Sequence, residues 1–356
     1  MPIKRFLAIL ERKPFGFLRR SVIALRRGAA LLLAVVLLML PVGCGWMPSK
    51  NEKEATGEPR ETAEPPPPDP LTGLPSEGPA HPTLMVMVNN HRKARPQSGL
   101  NRADLVVEIL AEGEITRFAA FYHSRTEGKV GPVRSLRPYY LELGRGLNAV
   151  VVHAGGSTAA LQEVRSSGWP SLDGIHQDAG YFRRERDRRA PHNLYTDLSR
   201  LQEAARTKGY GDRETKPVFR FDENGATAEG EPAAEIDLVY HKLYEAGYRY
   251  DEESGEYVRY TQGEKQVDRE TGEPLTMDNV LVIKAKHRVT DAAGHREVDL
   301  KGPGSGVLFQ RGKAIPIQWE NISGVVVPVR DGQMLPLLPG KTWINVLPET
   351  GKVTYR

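Results

Sequence analysis

The sequence predicts a mixed α/β domain over residues 83–230, followed by a smaller, mostly β domain over residues 235–356. In the first part, apolar runs typical of buried strands alternate with amphipathic helical patterns. In the second part, no long helical period occurs after about residue 246, and short apolar runs are separated by Gly and Pro turns. Residues 1–82 have neither pattern and are predicted to be a leader and a tether.

The leader is predicted to be a lipoprotein signal peptide, residues 1–43. Residues 1–27 carry eight Lys or Arg and one Glu, and the apolar run over residues 28–40 is short for a membrane span, which needs roughly twenty residues. The only cysteine, Cys44, follows a small residue at the end of this run and resembles a lipobox cysteine. The expectation is cleavage before Cys44 and a lipid anchor that holds the protein on the extracytoplasmic face of the cell membrane.

Residues 44–82 are predicted to be a disordered, proline-rich tether, because they contain almost no apolar side chains. The leader carries +7, so the chain's net charge of +4 leaves −3 on residues 44–356. The basic character of the chain therefore belongs to its leader, and the sequence argues against a nucleic-acid partner. With one cysteine, no intramolecular disulfide is expected.

The first domain is predicted to contain four strands and three helices. The helix predicted near residue 196 begins at a Thr196 N-cap and ends before Gly209. The predicted strands are TLMVMVNN (83–90), DLVVEILAE (104–112), ITRFAAFYH (115–123) and LNAVVVHAGGS (147–157), the last running into a turn; the predicted helices are RPYYLELGRGL (137–147), TAALQEVRSSG (158–168) and TDLSRLQEAARTKG (196–209). In the second domain, YRYDEESGEYVRY (248–260) is typical of a hairpin.

Candidate binding residues follow the strands, because ligands of α/β sheets gather where strands pass into loops. The turn GPVRSLRPYY (131–140) places Arg134 and Arg137 at the start of a helix, with Ser135 as its expected cap. A helix N-terminus favours an anion. An internal Arg–Glu network with Glu108, Glu112 and Glu114 is an equally good interpretation.

Three other segments complete the candidate ligand site. His91 lies in a basic loop, HAGGST (153–158) forms a tight strand-to-helix turn, and RAPHN (189–193) stiffens the chain before a helix. Ser157 is better explained as an N-cap than as a nucleophile. With Arg117 from a neighbouring strand, the predicted ligand-binding residues are His91, Arg117, Arg134, Ser135, Arg137, His153, Gly155, Gly156, Ser157, His192 and Asn193.

The motifs for metals and cofactors that we sought are absent from the sequence. It contains no HExxH, no paired-Cys site and no EF-hand loop. The prediction is therefore no metal, no cofactor and no assigned catalytic residue.

An ordered series of motifs resembles the YerB-like lipoprotein family, a two-part family of unknown function. The resemblance spans about residues 69–350 and implies a membrane-anchored lipoprotein with a mixed N-terminal part and a β-rich C-terminal part; it supplies no reaction. The motifs are PDPLTGLP, VMVNNHRKARPQSGL, ADLVVEILAEGEITRF, GPVRSLRPYY, VVHAGGS, RAPHNLYT and DRETGEPLTMDNVLVI.

Three functional hypotheses remain open from the sequence. The leading one is a non-enzymatic lipoprotein that binds an anionic cell-envelope ligand or an envelope protein through an Arg- and His-lined cleft. The second is an enzyme acting on phosphorylated or carbohydrate envelope polymers, with Asp104, Glu112 or His153 as base. The third is a scaffold in which the arginines pair with internal glutamates.

Overall fold

The computed structural model describes residues 67–76, 80–226 and 230–356. The helices are α1 (Pro138–Gly146), α2 (Thr158–Ser167) and α3 (Leu198–Thr207). The strands before residue 230 are β1 (Leu84–Asn89), β2 (Leu105–Leu110), β3 (Thr116–Tyr122), β4 (Lys129–Val130), β5 (Val150–His153), β6 (Ser171–Asp173), β7 (Arg183–Arg184) and β8 (Leu194–Asp197).

The part after residue 230 is built of strands. These are β9 (Glu231–Pro232), β10 (Glu235–His241), β11 (Tyr244–Asp251), β12 (Glu256–Thr261), β13 (Glu264–Lys265), β14 (Thr276–Met277), β15 (Asn279–Ala285), β16 (His287–Val289), β17 (Arg296–Val298), β18 (Gly304–Gln310), β19 (Lys313–Ile322), β20 (Val325–Arg330), β21 (Gln333–Met334), β22 (Thr342–Pro348) and β23 (Lys352–Tyr355). The predicted fold class, a mixed α/β part followed by a β-rich part, is confirmed.

Twelve strands of the described residues form one mixed sheet that takes strands from both parts of the chain. Its order is β21-β20-β19-β18-β15-β22-β2-β3-β1-β5-β6, with β9 paired to β19. The junction is the parallel pairing of β2 with β22, from Leu105 opposite Thr342 to Ile109 opposite Val346. Strands buried on both faces read as continuous apolar runs, which is why LMVMVN in β1 has no polar alternation.

The main sheet is covered on both faces. Met85, Phe121 and Val107 point to the face covered by α1, where Tyr140 and Leu143 pack. The alternate residues of the same strands point to the other face, which is covered by α3 and by a six-stranded sheet in the order β13-β12-β11-β10-β23, with β14 paired to β12. A polar side chain inside these strands is therefore buried on either face of the sheet and needs a hydrogen-bond or ion-pair partner.

Residues 67–76, assigned by the sequence to the tether, form a turn that packs on the folded part. Asp69 accepts the N–H groups of Leu71 and Thr72 and binds His123 Nδ1 at 2.5 Å. Leu71 is fully buried, and Gly73 (φ +67°) lies against Phe221. One apolar side chain and an aspartate turn order this stretch, although its composition is polar and proline-rich.

Two predicted helix caps differ in the structure. Thr196 belongs to β8 and donates to the Tyr181 carbonyl at 2.9 Å, while Asp197 caps α3 by accepting from the Ser199 N–H. Ser135 does not cap α1; Arg137 occupies the cap position, and Pro138 starts the helix. The prediction for α2 is confirmed, since Ser157 accepts from the Ala160 N–H.

Asp278→Asn is expected to raise the free energy of unfolding at pH 7 by about 1 kcal/mol, after allowance for partial exposure. Burial raises the pKa of Asp278 to about 6, although the Lys341 N–H donates to it at 2.7 Å. The folded state therefore binds more protons than the unfolded state between pH 4 and 6. The contribution of Asp278 to the free energy of unfolding consequently falls as pH rises through that window. Urea unfolding of both proteins at pH 4 and pH 7 checks it; an equal difference at both pH values contradicts it.

Candidate functional site

The stretch GPVRSLRPYY lies between the carboxyl ends of β1 and β5. These strands pair in parallel only as far as Val86 opposite Val152. Beyond that point the chain segment enters between them: Arg134 donates its N–H to the Met87 carbonyl at 2.8 Å and its carbonyl accepts from Ala154 at 3.0 Å. A bridge between Leu136 and Gly156 continues the pairing. The segment thus fills the crevice where α/β sheets commonly bind ligands.

Glu112 binds two of the predicted arginines. It follows the end of β2 and accepts from Arg117 Nη2 at 3.0 Å and from Arg137 Nε. Arg117 also donates to the Ser135 carbonyl at 2.7 Å, and Arg137 to the Leu136 carbonyl at 2.7 Å. Burial raises the pKa of Glu112, but Arg117 and Arg137 outweigh this and lower it to about 2. Both guanidinium groups are thus buried against their own carboxylate, as the scaffold hypothesis requires.

The other two glutamates proposed as partners pair elsewhere. Glu108 points to the opposite face of the sheet and binds Arg259 at 2.8 Å. Glu114 binds Arg296 at 2.7 Å. The predicted network of three glutamates around the arginines is therefore wrong in composition, because Glu108 and Glu112 lie on opposite sides of the sheet.

Arg134 differs from its two neighbours. Its guanidinium is half-buried and has no hydrogen-bond or carboxylate partner among the residues that the structure describes. Burial, together with the charges of Arg117 and Arg137, lowers its pKa, and Glu112 only partly opposes this. Three guanidinium groups with one carboxylate leave a net charge of +2 in a half-buried cluster. Such a charge is stabilised by an anion.

Two stacked imidazoles lie beside Arg134. The rings of His91 and His192 are 4.5 Å apart between centroids and tilted by 22°. Burial lowers the pKa of both rings, and the charge of Arg134 contributes to both shifts. The loop after β1 and the loop before β8 therefore meet next to the arginine cluster.

Asn89, a residue that the sequence analysis missed, joins these two loops. It is buried at the end of β1, its Oδ1 accepts the backbone N–H of His91 at 3.0 Å, and its Nδ2 donates to His192 Nδ1 at 2.9 Å. The signal in the sequence was a polar side chain ending a strand of buried residues.

The HAGGST turn supports the wall of the site and offers fewer free donors than predicted. The Gly155 N–H donates to Asp173 Oδ1 at 2.9 Å, and the Ser157 N–H donates to the Leu136 carbonyl at 3.2 Å. His153 is 1% exposed, and its Nδ1 lies 2.9 Å from the Gly155 carbonyl. Burial lowers the pKa of His153. Its Nε2 is buried without a partner among the described residues, so His153 does not join the open cluster.

Two further candidates hold backbone turns. Ser135 Oγ donates to the Ala154 carbonyl at 3.1 Å and fastens the segment to the end of β5. Asn193 donates to the carbonyls of Glu185 and Arg188 and accepts from Arg184, so its amide is engaged by its own loop. Within the described part of the chain, no group of three His, Cys, Asp or Glu residues could hold a metal ion.

Family models match both parts of the chain. The model described as "Protein of unknown function (DUF3048) N-terminal domain" matches residues 71–211, and the one described as "Protein of unknown function (DUF3048) C-terminal domain" matches residues 236–344. The chain belongs to the DUF3048 family. The N-terminal model matches the first part of the chain and the C-terminal model the second, in the order expected for the two-part family.

This DUF3048 chain is also similar to YerB of Bacillus subtilis, both in sequence and in solved structure. "Putative lipoprotein YerB" of Bacillus subtilis (strain 168) is 40% identical over 284 residues, which are 79% of this chain and 86% of that protein. The "Crystal structure of YerB protein from Bacillus subtilis" superimposes with a TM-score of 0.73 at 38% identity, over 81% of this chain and 99% of that one. The YerB-like resemblance predicted from the motifs is confirmed.

The relative's name supports an uncharacterised lipoprotein for this DUF3048 chain as well. The predicted leader and Cys44 lie outside the described residues, so lipidation at Cys44 stays a prediction. Among the residues that are described, no helix is both long and apolar enough to cross a membrane.

Proposed function

We propose that this chain is a lipid-anchored, extracytoplasmic lipoprotein that binds an anionic cell-envelope ligand at Arg134. The observation that supports this is the half-buried Arg134 guanidinium, which has no partner among the described residues and lies beside two arginines that share one carboxylate. A forked hydrogen bond from Arg134 to an oxyanion would satisfy the guanidinium and reduce the net charge of the cluster.

The geometry favours binding over catalysis. Of the bases that an enzyme would need, Glu112 is held ionised by two arginines. Asp104 precedes β2 and lies at the strand end opposite Glu112. His153 is buried and bound to Gly155. None of these three candidates is therefore an open general base beside Arg134.

Arg134→Gln is expected to weaken retention on isolated anionic envelope polymers by about tenfold or more, because a charge-assisted hydrogen bond contributes roughly 1.5–3 kcal/mol. Retention is measured by co-sedimentation at low and high salt, with the melting temperature of each protein.

The matched control is Arg125→Gln, an exposed arginine beyond the far end of β3. The control should bind as the wild type does. Equal retention of Arg134→Gln and wild type at unchanged melting temperature would remove the anion site.

A further inference from the structure

The ring nitrogens of His91 and His192 are constrained by fixed hydrogen-bond donors. The backbone N–H of Lys93 donates to His91 Nδ1 at 3.1 Å, so that nitrogen must accept. Asn89 Oδ1 accepts the His91 N–H, which turns the Asn89 amide nitrogen toward His192 Nδ1 at 2.9 Å. That nitrogen must accept too. In both neutral rings the proton therefore resides on Nε2.

The surroundings of the stacked rings disfavour their charged form. A protonated ring would carry a hydrogen on Nδ1, facing the Lys93 N–H or the Asn89 amide. The charged groups that act most strongly on the two rings are all cations: Arg92, Lys93, Arg95, Arg134 and Arg188. They come from the loop after β1, the segment between β1 and β5, and the loop before β8. The pair is thus neutral at pH 7 and still offers two N–H donors.

We propose that His91 and His192 bind the ligand as neutral Nε2–H donors together with Arg134, that the ligand group is a phosphodiester, and that Asn89 is the positioning residue that sets the His192 tautomer. This rests on the proposed function, because it places the ligand at Arg134. The three side chains offer hydrogen-bond donors and no acceptor. A group that never carries a proton at physiological pH suits such a site, and a phosphodiester is one.

Two ring N–H donors and a forked guanidinium suit a phosphodiester better than a carboxylate. They come from three separate chain segments, those of His91, Arg134 and His192. The lone pairs of a carboxylate lie in one plane, whereas the oxygens of a tetrahedral phosphoryl group accept from several directions. The same group occurs in soluble glycerol phosphates and in lipid headgroups.

The tautomers are read by ¹⁵N NMR of the full chain labelled at histidine, and affinity by calorimetry with glycerophosphoglycerol. Both rings are expected to carry the proton on Nε2 at pH 7. The charge of the probe does not change between pH 6.5 and 8.5, so its affinity should vary by less than about threefold there. Protons on Nδ1, or an affinity that falls about tenfold per pH unit, would overturn neutral donation.

Two substitutions of His192 test whether its Nε2–H donates to the ligand or whether the ring only fills space. A glutamine amide reaches about as far as Nε2 and an asparagine amide about as far as Nδ1, so His192→Asn should lower affinity about tenfold and His192→Gln only about twofold. Asn89→Asp should place a proton on His192 Nδ1 in the ¹⁵N spectrum, because the new carboxylate accepts there; an unchanged Nε2–H tautomer would overturn the positioning role of Asn89. Equal losses for His192→Asn and His192→Gln would exclude the donor role.

The probes also separate this inference from the proposed function. Binding of glycerophosphoglycerol supports a soluble phosphodiester, and binding only of phosphatidylglycerol vesicles supports a lipid headgroup. Binding of citrate but of neither phosphodiester overturns the ligand class and leaves the anion site at Arg134 intact. No binding of any anion, with Arg134→Gln unchanged, overturns both.

Discussion

Glu108→Gln is expected to lower the free energy of unfolding by about 3–5 kcal/mol, because it leaves a buried arginine without its counter-charge. Glu108 and Arg259 are both 0% exposed, and Glu108 Oε2 lies 2.8 Å from Arg259 Nη2. Thr116 and Tyr244 each donate to Glu108 Oε1 at 2.6 Å, and Trp343 donates to Oε2 at 3.1 Å. The pair ties β2 and β3 to β11, β12 and β22, so its loss affects both parts of the fold.

Urea unfolding of the wild type, Glu108→Gln, Arg259→Met and the double variant measures this effect. The double variant should be more stable than the sum of the single losses predicts, since it removes both buried charges. Trp343→Phe, which removes one donor to Glu108, should lower the free energy of unfolding by about 1–2 kcal/mol. This variant tests the same site if Glu108→Gln and Arg259→Met do not fold. A loss below 1 kcal/mol for Glu108→Gln would show that the pair does not stabilise the fold.

Glu112→Gln is expected to cost about 2–3 kcal/mol, the second largest effect. Its pKa is lowered to about 2, a shift equivalent to roughly 3 kcal/mol before allowance for its partial exposure. The folded pKa lies below the ordinary value of 4.5, so this contribution is present above pH 4.5 and is lost as pH falls toward 2. The variant should lack that part of the acid dependence.

The control for Glu112→Gln is Glu297→Gln, which breaks an exposed Arg–Glu pair with Arg288. Exposed pairs contribute about 0–1 kcal/mol, so the control should change stability little. Unfolding is followed from pH 2.5 to 7 with and without sulfate. Because Glu112→Gln raises the net charge of the arginine cluster to +3, sulfate should stabilise it more than the wild type. The same loss for both variants would mean that Glu112 acts as an ordinary surface carboxylate.

Much of the fold could be predicted from local patterns. The apolar runs around β1, β2 and β3 identify buried strands, because strands covered on both faces need no polar alternation. The helix α2 was predicted to within a residue, since Ser157 caps its start and Gly168 (φ +62°) ends it. What the patterns could not give was the pairing of β2 with β22, which joins residues more than 230 positions apart.

The sequence predicted which basic residues lie near the candidate site, and it did not predict which side chains form ion pairs or hydrogen bonds there. Residues after parallel strands were expected to meet, and Arg134 does lie beside His91 and His192. The role of Asn89 was missed because its function depends on two loops that meet only in the folded chain. Spacing in the sequence cannot show which carboxylate an arginine reaches.

The sequence by itself determined the fold class, the family and the set of basic residues near the strand ends, because these depend on composition, periodicity and short motifs. Only the tertiary structure decided which charges meet. In the fold, Glu108 lies on the opposite face of the sheet from Glu112 and pairs with Arg259. Glu112 pairs with Arg117 and Arg137, and Arg134 has no partner among the described residues. The physical reason is that Glu108 lies inside β2 and points to the face covered by β12, whereas the chain leaves the strand after Leu110 and turns at Gly113 (φ +72°), which brings Glu112 to Arg117 and Arg137.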